Sequence, residues 1–465
     1  MSSWVGKRVT VMGLGTRAGG VGVGRYLAEA GAIVTVTDLR TDADLGGPIA
    51  ELGGFDIRFV LGRHDPVDFT DTDVVVRNPG VRRTNQYLAM ARESGVTIEM
   101  EMSIFLRACP VPVIGITGTK GKTTTSALCG EMLRHWRPET VVAGNMGVSA
   151  VSALASITPE TPVVLELSSW QLEGMDEREI GPQIAMITNI SEDHLDTYRD
   201  FDDYAATKRT IGQHLSGDNI LVLNAGEPEV AKAADQSVAR VIWFGAAELP
   251  GPGVRVERKA LVSTIPGREG TIAIPHNPAL RGAHQHLNAA SAAAAALLRG
   301  ASLEHVSAGL ASFSGVENRM EVVAEVDGVL YVNDTAATAP AAAIASLRAF
   351  ADRPIHLIAG GADKRLDFGP LAREIADRAA SITLLDGTAT PMLRSLIETG
   401  GRSDPGSVVQ SMAEAVEQAS ARAAAGDVVL LSPGCASFGL FRDEFDRGAQ
   451  FREAVFARAA VGAGQ

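Results

Sequence analysis

Residues 115–125 read GITGTKGKTTT, and this stretch decides the fold of the segment around it. It continues an apolar run that begins at Val113 and precedes helix-forming residues, so it forms a turn between a strand and a helix. Backbone N–H groups of such a turn, with the helix N-terminus, bind phosphate. Lys122 is placed to reach the β- and γ-phosphates, and Thr123 to bind Mg²⁺. Ile116 replaces the glycine of the usual P-loop spacing, so the motif is a variant ATP site. Its predicted ATP-binding residues are Gly118, Thr119, Lys120, Gly121, Lys122, Thr123 and Thr124.

Polar and acidic side chains follow the next two predicted strands. Glu166 lies near the end of a strand at 162–167, and a strand at 184–190 runs into NISEDHLD at 189–196. The carboxyl ends of parallel strands meet at one edge of a sheet, beside the phosphate-binding turn. We therefore expect Glu166 and His194 to form a metal or phosphate site there. Taken singly, each is typical of a solvated surface position, as is Lys208 in its helical stretch.

A second glycine turn follows a strand at residues 8–12 and reads Gly13-x-Gly15-x-x-Ala18. Asp38 follows the next strand, at residues 33–37. The pattern fits a dinucleotide fingerprint, in which glycines approach a pyrophosphate and the acid reaches a ribose hydroxyl. By itself it is compatible with three interpretations: a tight turn without a ligand, the nicotinamide site of an NAD-dependent oxidoreductase, or a site for another diphosphate-containing nucleotide.

Strands and helices alternate along the chain, which predicts an α/β fold. The N-terminal part contains a βαβ unit, and the central part contains a small β insertion at 246–270. The last part alternates strands and helices again, with strands at 329–333, 355–359, 381–385 and 427–431. We predict an N-terminal Rossmann-like domain, a central P-loop ATPase domain with a mostly parallel sheet, and a C-terminal Rossmann-like domain, with limits at 1–107, 108–314 and 315–465.

The composition is that of a soluble globular protein. The 465 residues include 42 Lys+Arg and 55 Asp+Glu, for a net charge of −13, and 46% are hydrophobic. This acidity argues against a nucleic-acid or anionic-membrane partner, because both need a basic face. The N-terminus lacks signal-peptide anatomy, the apolar stretch at 289–298 is too short to span a bilayer, and the 3 cysteines cannot build a disulfide framework. We expect a cytoplasmic protein.

Several motifs together resemble the Mur ligase family. Besides GITGTKGKTTT they are GNMG at 144–147, ELSSWQL at 166–172, NISEDHLD at 189–196, YAATK at 204–208, LSPGCAS at 431–437 and FRD at 441–443. The resemblance covers essentially the whole chain and implies a cytoplasmic, ATP-dependent, amide-forming ligase of peptidoglycan synthesis. It implies that glutamate is added to UDP-N-acetylmuramoyl-L-alanine through an acyl phosphate, while the C-terminal domain closes over ATP and binds the incoming amino acid. A monomer is expected.

The resemblance also implies roles for individual residues. The residues implied to bind the UDP-sugar substrate are Gly15, Thr16, Asp38, Asn78 and Asn145. Further substrate-binding residues are Lys364, Ser437 and Phe438. Further ATP contacts are Asn288, Arg319 and Asp334. The implied Mg²⁺ ligands are Thr123, Glu166, His194 and Lys208, with two ions expected and with Lys208 carbamylated by CO₂. The implied catalytic residues are Lys122, Glu166, His194 and Lys208.

Some positions depart from the family's usual pattern. Near the incoming amino acid they are Ala336 in place of lysine, Ala339 in place of asparagine, and Glu444-Phe445 in reversed order; near ATP they are Asn318 and Gln285. Lys364 and Ser437 are retained, and a cation with a hydroxyl suits a dicarboxylic amino acid. We favour D-glutamate, with L-glutamate as the alternative because the pocket walls are altered.

Three other classes of protein explain less of the sequence. An NAD-dependent oxidoreductase would leave the P-loop unused. A folate-type polyglutamate ligase would lack an N-terminal diphosphate-binding unit of this kind. A non-catalytic regulator derived from a ligase would be expected to have lost at least one of the candidate catalytic residues, and all are present.

Overall fold

The computed structural model describes residues 4–15, 18–194, 197–364 and 366–462. The chain packs into two compact units, one formed by Met1–Pro275 and Leu287–Ser312, the other by His276–His286 and Phe313–Gln465. The first unit contains two β-sheets and the second contains one. Within the described ranges, no helix is long and apolar enough to cross a membrane.

The N-terminal sheet consists of short strands rich in β-branched residues, the type of sequence that buried parallel strands require. Its strands are β1 (Arg8–Met12), β2 (Ile33–Asp38), β3 (Ile57–Leu61), β4 (Val74–Arg77) and β5 (Thr97–Glu99). They are parallel in the order β3-β2-β1-β4-β5. The accompanying helices are α1 (Ala18–Glu29), α2 (Asp42–Ala50), α3 (Val67–Thr70), α4 (Gln86–Glu93) and α5 (Glu101–Ala108).

The register of this sheet brings three turns to one edge. Met12, at the end of β1, pairs with Thr37 of β2 and with Arg77 of β4. The first glycine turn, Asp38 and Asn78 come next after these positions in the chain. They therefore lie side by side at the carboxyl edge of the sheet, where ligands bind in open α/β folds.

The central sheet has nine strands in the order β14-β13-β12-β11-β10-β9-β6-β8-β7. They are β6 (Val113–Thr117), β7 (Val141–Gly144), β8 (Val163–Glu166), β9 (Ile184–Ile187), β10 (Ile220–Asn224), β11 (Arg240–Gly245), β12 (Gly253–Glu257), β13 (Ala260–Ser263) and β14 (Gly270–Ala273). From β7 across the sheet to β12, neighbouring strands are parallel. Strands β13 and β14 add an antiparallel hairpin at the β12 side. Its helices are α6 (Lys122–Arg134), α7 (Ser169–Glu177), α8 (Phe201–Arg209), α9 (Pro228–Ala231), α10 (Ala283–Arg299) and α11 (Leu303–Ser312).

Strand β6 lies between β8 and β9, with Ile116 paired to Glu166 on one side and to Met186 on the other. The turn after β6 therefore leaves the sheet beside the ends of both neighbours. This arrangement places the two predicted polar segments next to the glycine-rich turn.

The second unit has a six-stranded sheet in the order β15-β16-β20-β17-β18-β19. The strands are β15 (Glu321–Val326), β16 (Val329–Asn333), β17 (Ile355–Ala359), β18 (Ala379–Leu385), β19 (Ser407–Val409) and β20 (Val428–Leu431). Within this sheet, the β15–β16 pair is antiparallel and the other described pairs are parallel. The helices are α12 (Pro340–Ala349), α13 (Gly369–Arg378), α14 (Thr390–Thr399), α15 (Met412–Ser420) and α16 (Glu444–Gly462).

The predicted α/β class with mostly parallel sheets is confirmed. The β insertion predicted for residues 246–270 is also confirmed, as the strands from β12 to β14. The predicted domain limits stay predictions; the one at residue 108 lies within the first unit, at the last residue of α5.

Candidate active site

The glycine-rich turn connects β6 to α6, and two of its glycines adopt conformations that other residues rarely adopt. Gly118 has a φ of +148°, and Gly121, just before α6, has a φ of +80°. A Cβ on Gly118 would lie 1.9 Å from Thr188 Oγ1, and a Cβ on Gly121 would lie 2.5 Å from Asn288 Oδ1. Both positions therefore need glycine, for backbone conformation and for space.

The polar segment after β9 braces this turn. The Thr119 N–H donates to Asn189 O at 2.9 Å, and the Lys120 N–H donates to Asn189 Oδ1 at 2.8 Å. The Ser191 N–H donates to Thr119 Oγ1 at 3.1 Å, and Lys120 Nζ forms an ion pair with Asp193 at 3.0 Å. Neither Asn189 nor Asp193 is among the predicted site residues. The polar segment NISEDHLD at 189–196, which contains both residues, is the sequence feature that could have indicated their role.

Helix α6 begins with the three residues predicted to meet phosphate and Mg²⁺. Lys122 Nζ donates to Gly118 O and Thr119 O, both at 2.9 Å, so its side chain folds back over the turn. Thr123 is half-buried and Thr124 is buried in the first helical turn. The ammonium group and the helix N-terminus together make this turn electropositive, as anion binding requires.

Glu166 ends β8 and is 1% exposed. Its Oε1 accepts a hydrogen bond from Asn145 Nδ2 at 2.8 Å. Its Oε2 is buried and has no hydrogen-bond partner in the part of the chain that the structure describes. A buried carboxylate oxygen without a donor is costly, and a cation would satisfy it. Glu166 therefore fits the role of a Mg²⁺ ligand.

An aromatic row connects His194 to Lys208. His194 has a φ of +54°, in the left-handed region, and its ring lies 4.7 Å from the Trp170 ring and 6.1 Å from the Tyr204 ring between centroids. Lys208 Nζ lies 4.9 Å from the centroid of the Tyr204 ring. The strained backbone of His194 is typical of functional positions. Trp170 and Tyr204 contact predicted site residues, but the sequence analysis did not place these two aromatic residues in the site.

Lys208 lies on α8 and is 2% exposed. Burial holds the pKa of its ammonium well below the usual value, and repulsion from Lys122 acts in the same direction, against the attraction of Asp193 and Glu166. Among the described residues, no group of three or more His, Cys, Asp and Glu side chains is placed to hold a metal ion. A metal site here therefore needs other ligands, such as the Thr123 hydroxyl, phosphate oxygens or a modified lysine.

A cavity of about 400 Å³ opens beside this site in the first unit. Its lining includes Gly15, Gly19, Asn78, Asn145 and Trp170. Three of the residues predicted to bind the UDP-sugar, Gly15, Asn78 and Asn145, therefore line one cavity. A fourth, Thr16, lies outside the described residues.

Asp38 is 5% exposed and supports the first glycine turn. Its Oδ2 accepts the N–H groups of Leu14 at 3.0 Å and Gly15 at 3.2 Å, and its Oδ1 pairs with Arg40 Nε at 3.3 Å. Burial acts to raise the pKa of this carboxyl, but the hydrogen bonds and the Arg40 charge outweigh it and hold the pKa below its usual value. Asp38 is therefore an anion that fixes the turn.

In the second unit, Asp334 follows β16 and is buried. Its Oδ2 accepts hydrogen bonds from Ser346 Oγ at 2.5 Å and Ser432 Oγ at 2.9 Å, and its Oδ1 accepts the Met320 N–H at 3.2 Å. Burial raises the pKa of this carboxyl to about 6, although these hydrogen bonds oppose the shift. Arg319, beside Met320 in the chain, is exposed.

A fully buried arginine joins two loops of this unit. Arg447 Nε donates to Thr335 Oγ1 at 2.8 Å, its Nη2 donates to Thr335 O at 2.9 Å, and its Nη1 donates to Cys435 O at 3.3 Å. Burial lowers the pKa of its guanidinium to about 10. Thr335 follows Asp334, and Cys435 precedes Ser437, so Arg447 fixes the loops that carry both predicted residues. It lies next to a family motif and was not predicted as a site residue.

The three residues predicted to bind the incoming amino acid lie in neighbouring loops. An isolated antiparallel bridge between Ala362 and Ala436 joins the segments that carry Lys364 and Ser437. Lys364 is exposed, Ser437 is buried, and Phe438 is 62% exposed. These segments therefore offer an accessible cation and an accessible ring.

One departure from the family pattern has a structural explanation. Asn318 is buried with a φ of +67°, a conformation that asparagine adopts more readily than most residues. Its Oδ1 accepts hydrogen bonds from Asn333 Nδ2 and Arg452 Nη1, both at 3.1 Å. Ala336 and Ala339 are half-buried, and nothing in the structure explains their replacement of polar residues.

Three family models match consecutive parts of the chain: the Mur ligase MurD-like N-terminal domain at residues 7–99, the Mur ligase middle domain at 116–296, and the Mur ligase glutamate ligase domain at 318–435. A protein of Roseiflexus sp. named UDP-N-acetylmuramoylalanine--D-glutamate ligase is 49% identical over 97% of this chain and 98% of its own length. A protein of the same name from Symbiobacterium thermophilum is 38% identical over 95% of this chain and 98% of its own length.

Solved structures show the same fold. The UDP-N-acetylmuramate-alanine ligase of Thermotoga maritima has a TM-score of 0.62 at 20% identity, over 97% of this chain and 100% of its own. MurF of Acinetobacter baumannii has a TM-score of 0.59 at 18% identity, over 96% of this chain and 93% of its own.

The three family models and the relatives match the chain along its length, so the chain belongs to the Mur ligase family. It is therefore an ATP-dependent ligase that forms an amide bond and uses Mg²⁺. These matches give no support to the nicotinamide interpretation of the first glycine turn.

Proposed function

We propose that this chain adds D-glutamate to UDP-N-acetylmuramoyl-L-alanine, with ATP converted to ADP and phosphate, during cytoplasmic synthesis of peptidoglycan precursors. The observation that carries the chemistry is the unpartnered, buried Oε2 of Glu166 beside the glycine-rich turn, within the described chain. The choice of substrates is supported by the name of the Roseiflexus relative, which is 49% identical to this chain.

Activation of the alanyl carboxylate comes first, because a carboxylate is a poor acyl donor. A carboxylate oxygen attacks the γ-phosphorus of ATP, the new O–P bond replaces the bond to ADP, and an acyl phosphate results. The protein's contribution is alignment and neutralisation of charge. Lys122, which folds over the turn, and the N–H groups at the start of α6 stabilise the negative oxygens of the phosphates.

Amide formation follows when the amine of glutamate attacks the carbonyl carbon of the acyl phosphate. The tetrahedral intermediate collapses with loss of phosphate, and the amine gives up a proton. We assign binding of the incoming glutamate to Lys364, Ser437 and Phe438. We assign further contacts with ATP to Asn288, Arg319 and Asp334. Lys364 supports this assignment, because an accessible ammonium group pairs with a carboxylate of the amino acid.

We assign the Mg²⁺ ligands to Thr123, Glu166 and His194, with a second ion held by a carbamylated Lys208. Bound Mg²⁺ neutralises charge on the transferring phosphoryl group. The lowered pKa of Lys208 supports carbamylation, because only the neutral amine attacks CO₂. Formation of its N–C bond releases a proton and turns the side chain into an anion. Incubation with ¹³CO₂ should give a carbamate NMR signal that is absent from Lys208→Arg.

The test of the proposed function is phosphate release with ATP, Mg²⁺ and UDP-N-acetylmuramoyl-L-alanine, with D-glutamate and L-glutamate in separate reactions and with product mass measured. Turnover with D-glutamate, lost in Glu166→Gln, supports the proposal. Turnover with L-glutamate alone overturns the assignment of D-glutamate. It would mean that the loops around Ala336 and Ala339 have changed the stereospecificity of the site. Turnover with neither overturns the glutamate assignment.

A further inference from the structure

We propose that Arg82 binds the diphosphate of the UDP-sugar and so determines the affinity of this chain for that substrate. This inference rests on the proposed function and deepens it. It adds a residue outside the glycine turn to the substrate site, on the loop that follows β4.

The first observation is the position of that loop. A Cβ on Gly13 would lie 3.0 Å from Asn78 Cβ and 3.6 Å from Val81 Cγ2, so the loop after β4 packs directly against the first glycine turn. Arg82 is the next residue after Val81, and it lines the same cavity of about 400 Å³ as Gly15. A helix N-terminus preceded by a glycine turn is a phosphate site. Arg82 and the glycine turn that is predicted to bind the diphosphate therefore line the same cavity.

The second observation is the charge balance of the cavity. The charged residues of its described lining are Arg40, Arg82 and Glu101. Arg40 is paired with Asp38 at 3.3 Å, and Glu101 is buried and accepts a hydrogen bond from Ser149 Oγ at 2.6 Å. Arg82 is exposed, and the ion pairs and hydrogen bonds of the described chain leave its guanidinium without a partner. The Arg82 guanidinium is therefore the cation of this lining that is available to pair with an anionic ligand.

The chemistry of the substrate supplies that match. A diphosphate presents adjacent anionic oxygens, and a guanidinium presents paired N–H donors that bind two of them at once. Arg83, the next residue, offers a matched contrast, because it already pairs with Asp203 at 3.4 Å and is not part of the cavity lining. The two neighbouring arginines therefore differ in surroundings and not in residue type.

The test compares Arg82→Ala, Arg82→Lys and the control Arg83→Ala in steady-state kinetics. A charge-assisted hydrogen bond at an exposed site predicts a rise of about tenfold in KM for the UDP-sugar in Arg82→Ala. We expect unchanged kcat and unchanged KM for ATP, which also shows that the fold is intact. Arg82→Lys should fall between wild type and alanine, because it keeps the charge and loses the paired donors. Arg83→Ala should resemble wild type.

Binding of UDP and of uridine, measured by calorimetry, separates this inference from the proposed function. Loss of about tenfold in UDP affinity with unchanged uridine affinity supports a diphosphate contact, even if turnover with glutamate fails. Equal losses for both ligands, or an equal effect in Arg83→Ala, would overturn it. Unchanged UDP affinity in Arg82→Ala would also overturn it while leaving the proposed ligase activity untouched.

Discussion

Replacing Glu173 with glutamine removes the charge partner of a buried arginine. Arg77, at the end of β4, donates from both Nη1 and Nη2 to Glu173 Oε2 on α7, each at 3.1 Å. The side chains of Arg77 and Glu173 are 0% and 6% exposed. The pair joins strand β4 of the N-terminal sheet to helix α7, and Asn78, the residue after Arg77, lines the cavity of about 400 Å³. The substitution keeps the size of the side chain and removes its charge.

The magnitude follows from the contacts that remain. Without the negative charge, Arg77 can still donate to the amide oxygen of the new glutamine, and it keeps a hydrogen bond to Val81 O at 2.9 Å and weaker contacts to Met100 Sδ at 3.3 Å and Trp170 O at 3.5 Å. Its Nε is already buried without a partner among the described residues. Breaking such a buried pair on one side costs about 3–5 kcal/mol. Exchange of the amides that open together with this contact should therefore be faster by roughly two to four orders of magnitude.

Hydrogen exchange read by mass spectrometry is the appropriate assay, because it resolves local opening in a protein with several units. Peptides covering β4 and α7 should lose protection in Glu173→Gln, while β17 in the second unit serves as an internal reference. The matched control is Glu177→Gln, which removes an ion pair with Arg92 at 2.9 Å from the same helix. Those side chains are 31% and 40% exposed, so the expected cost is only about 0–1 kcal/mol.

A second variant keeps this prediction falsifiable. Combining Glu173→Gln with Arg77→Met removes both charges and should restore most of the protection, because the cost comes from the unpaired ion. Equal exchange in Glu173→Gln and Glu177→Gln would refute the reasoning, since it would mean that water solvates the Arg77 guanidinium despite its burial.

Three further changes test other parts of the site. Lys208→Met should abolish ligase activity yet raise Tm at neutral pH, because burial disfavours the ammonium form of the amine that it removes; this difference should shrink as pH rises toward about 10.4, where the unfolded chain loses the same proton. For Asp334, whose folded pKa is raised to about 6, the stability of the neutral form is complete below about 3.8 and lost as pH rises through about 6. Asp334→Asn should therefore remove about 3 kcal/mol of pH dependence from unfolding curves recorded across that window. Gly118→Ala would place a Cβ 1.9 Å from Thr188 Oγ1, so it should destabilise the turn by about 1–3 kcal/mol and raise KM for ATP, whereas Gly54→Ala, with nothing within 4 Å, should leave KM unchanged.

The interior strands of the fold were largely predictable because they are continuous apolar runs. Strands β6, β8 and β9 are buried at every position, and the predicted strands overlap all three. The strands without a prediction include β3, β5, β7, β15 and β19, and each of these lies at a sheet edge. An edge strand is short or partly exposed and lacks the apolar run that identifies a buried one. Strands β10 and β11 are interior and were not predicted, although ILVLN at residues 220–224 has the required pattern.

The candidate site was predictable where its residues belong to local motifs. The glycine turn, Glu166 and His194 are such residues, because each follows a strand whose neighbours are fixed by the sheet order. The Arg77–Glu173 pair is separated by 96 residues, and neither member belongs to a motif used in the prediction. The role of Arg447 likewise depends on contacts to Thr335 and Cys435 that bring together distant parts of the chain. Long-range packing of this kind cannot be read from local patterns.

We expect the hand of the incoming glutamate to depend on side chains more than on the backbone of the loops that carry Thr335 and Cys435. Arg447 holds the main chain at Thr335 and Cys435, and the Ala336 N–H donates to Asn318 O at 2.9 Å, so the turn is fixed although position 336 has no polar side chain. Glutamate offers two carboxylates and an amine, and a chiral site needs at least two fixed anchors besides the reacting amine. We assign one anchor to Lys364, and the change to alanine at position 336 removes a polar candidate for another. Losing an anchor weakens discrimination, whereas reversing it requires an anchor in a new place. The departures therefore predict a smaller preference for D-glutamate over L-glutamate, measured as the ratio of kcat/KM values, and not its inversion.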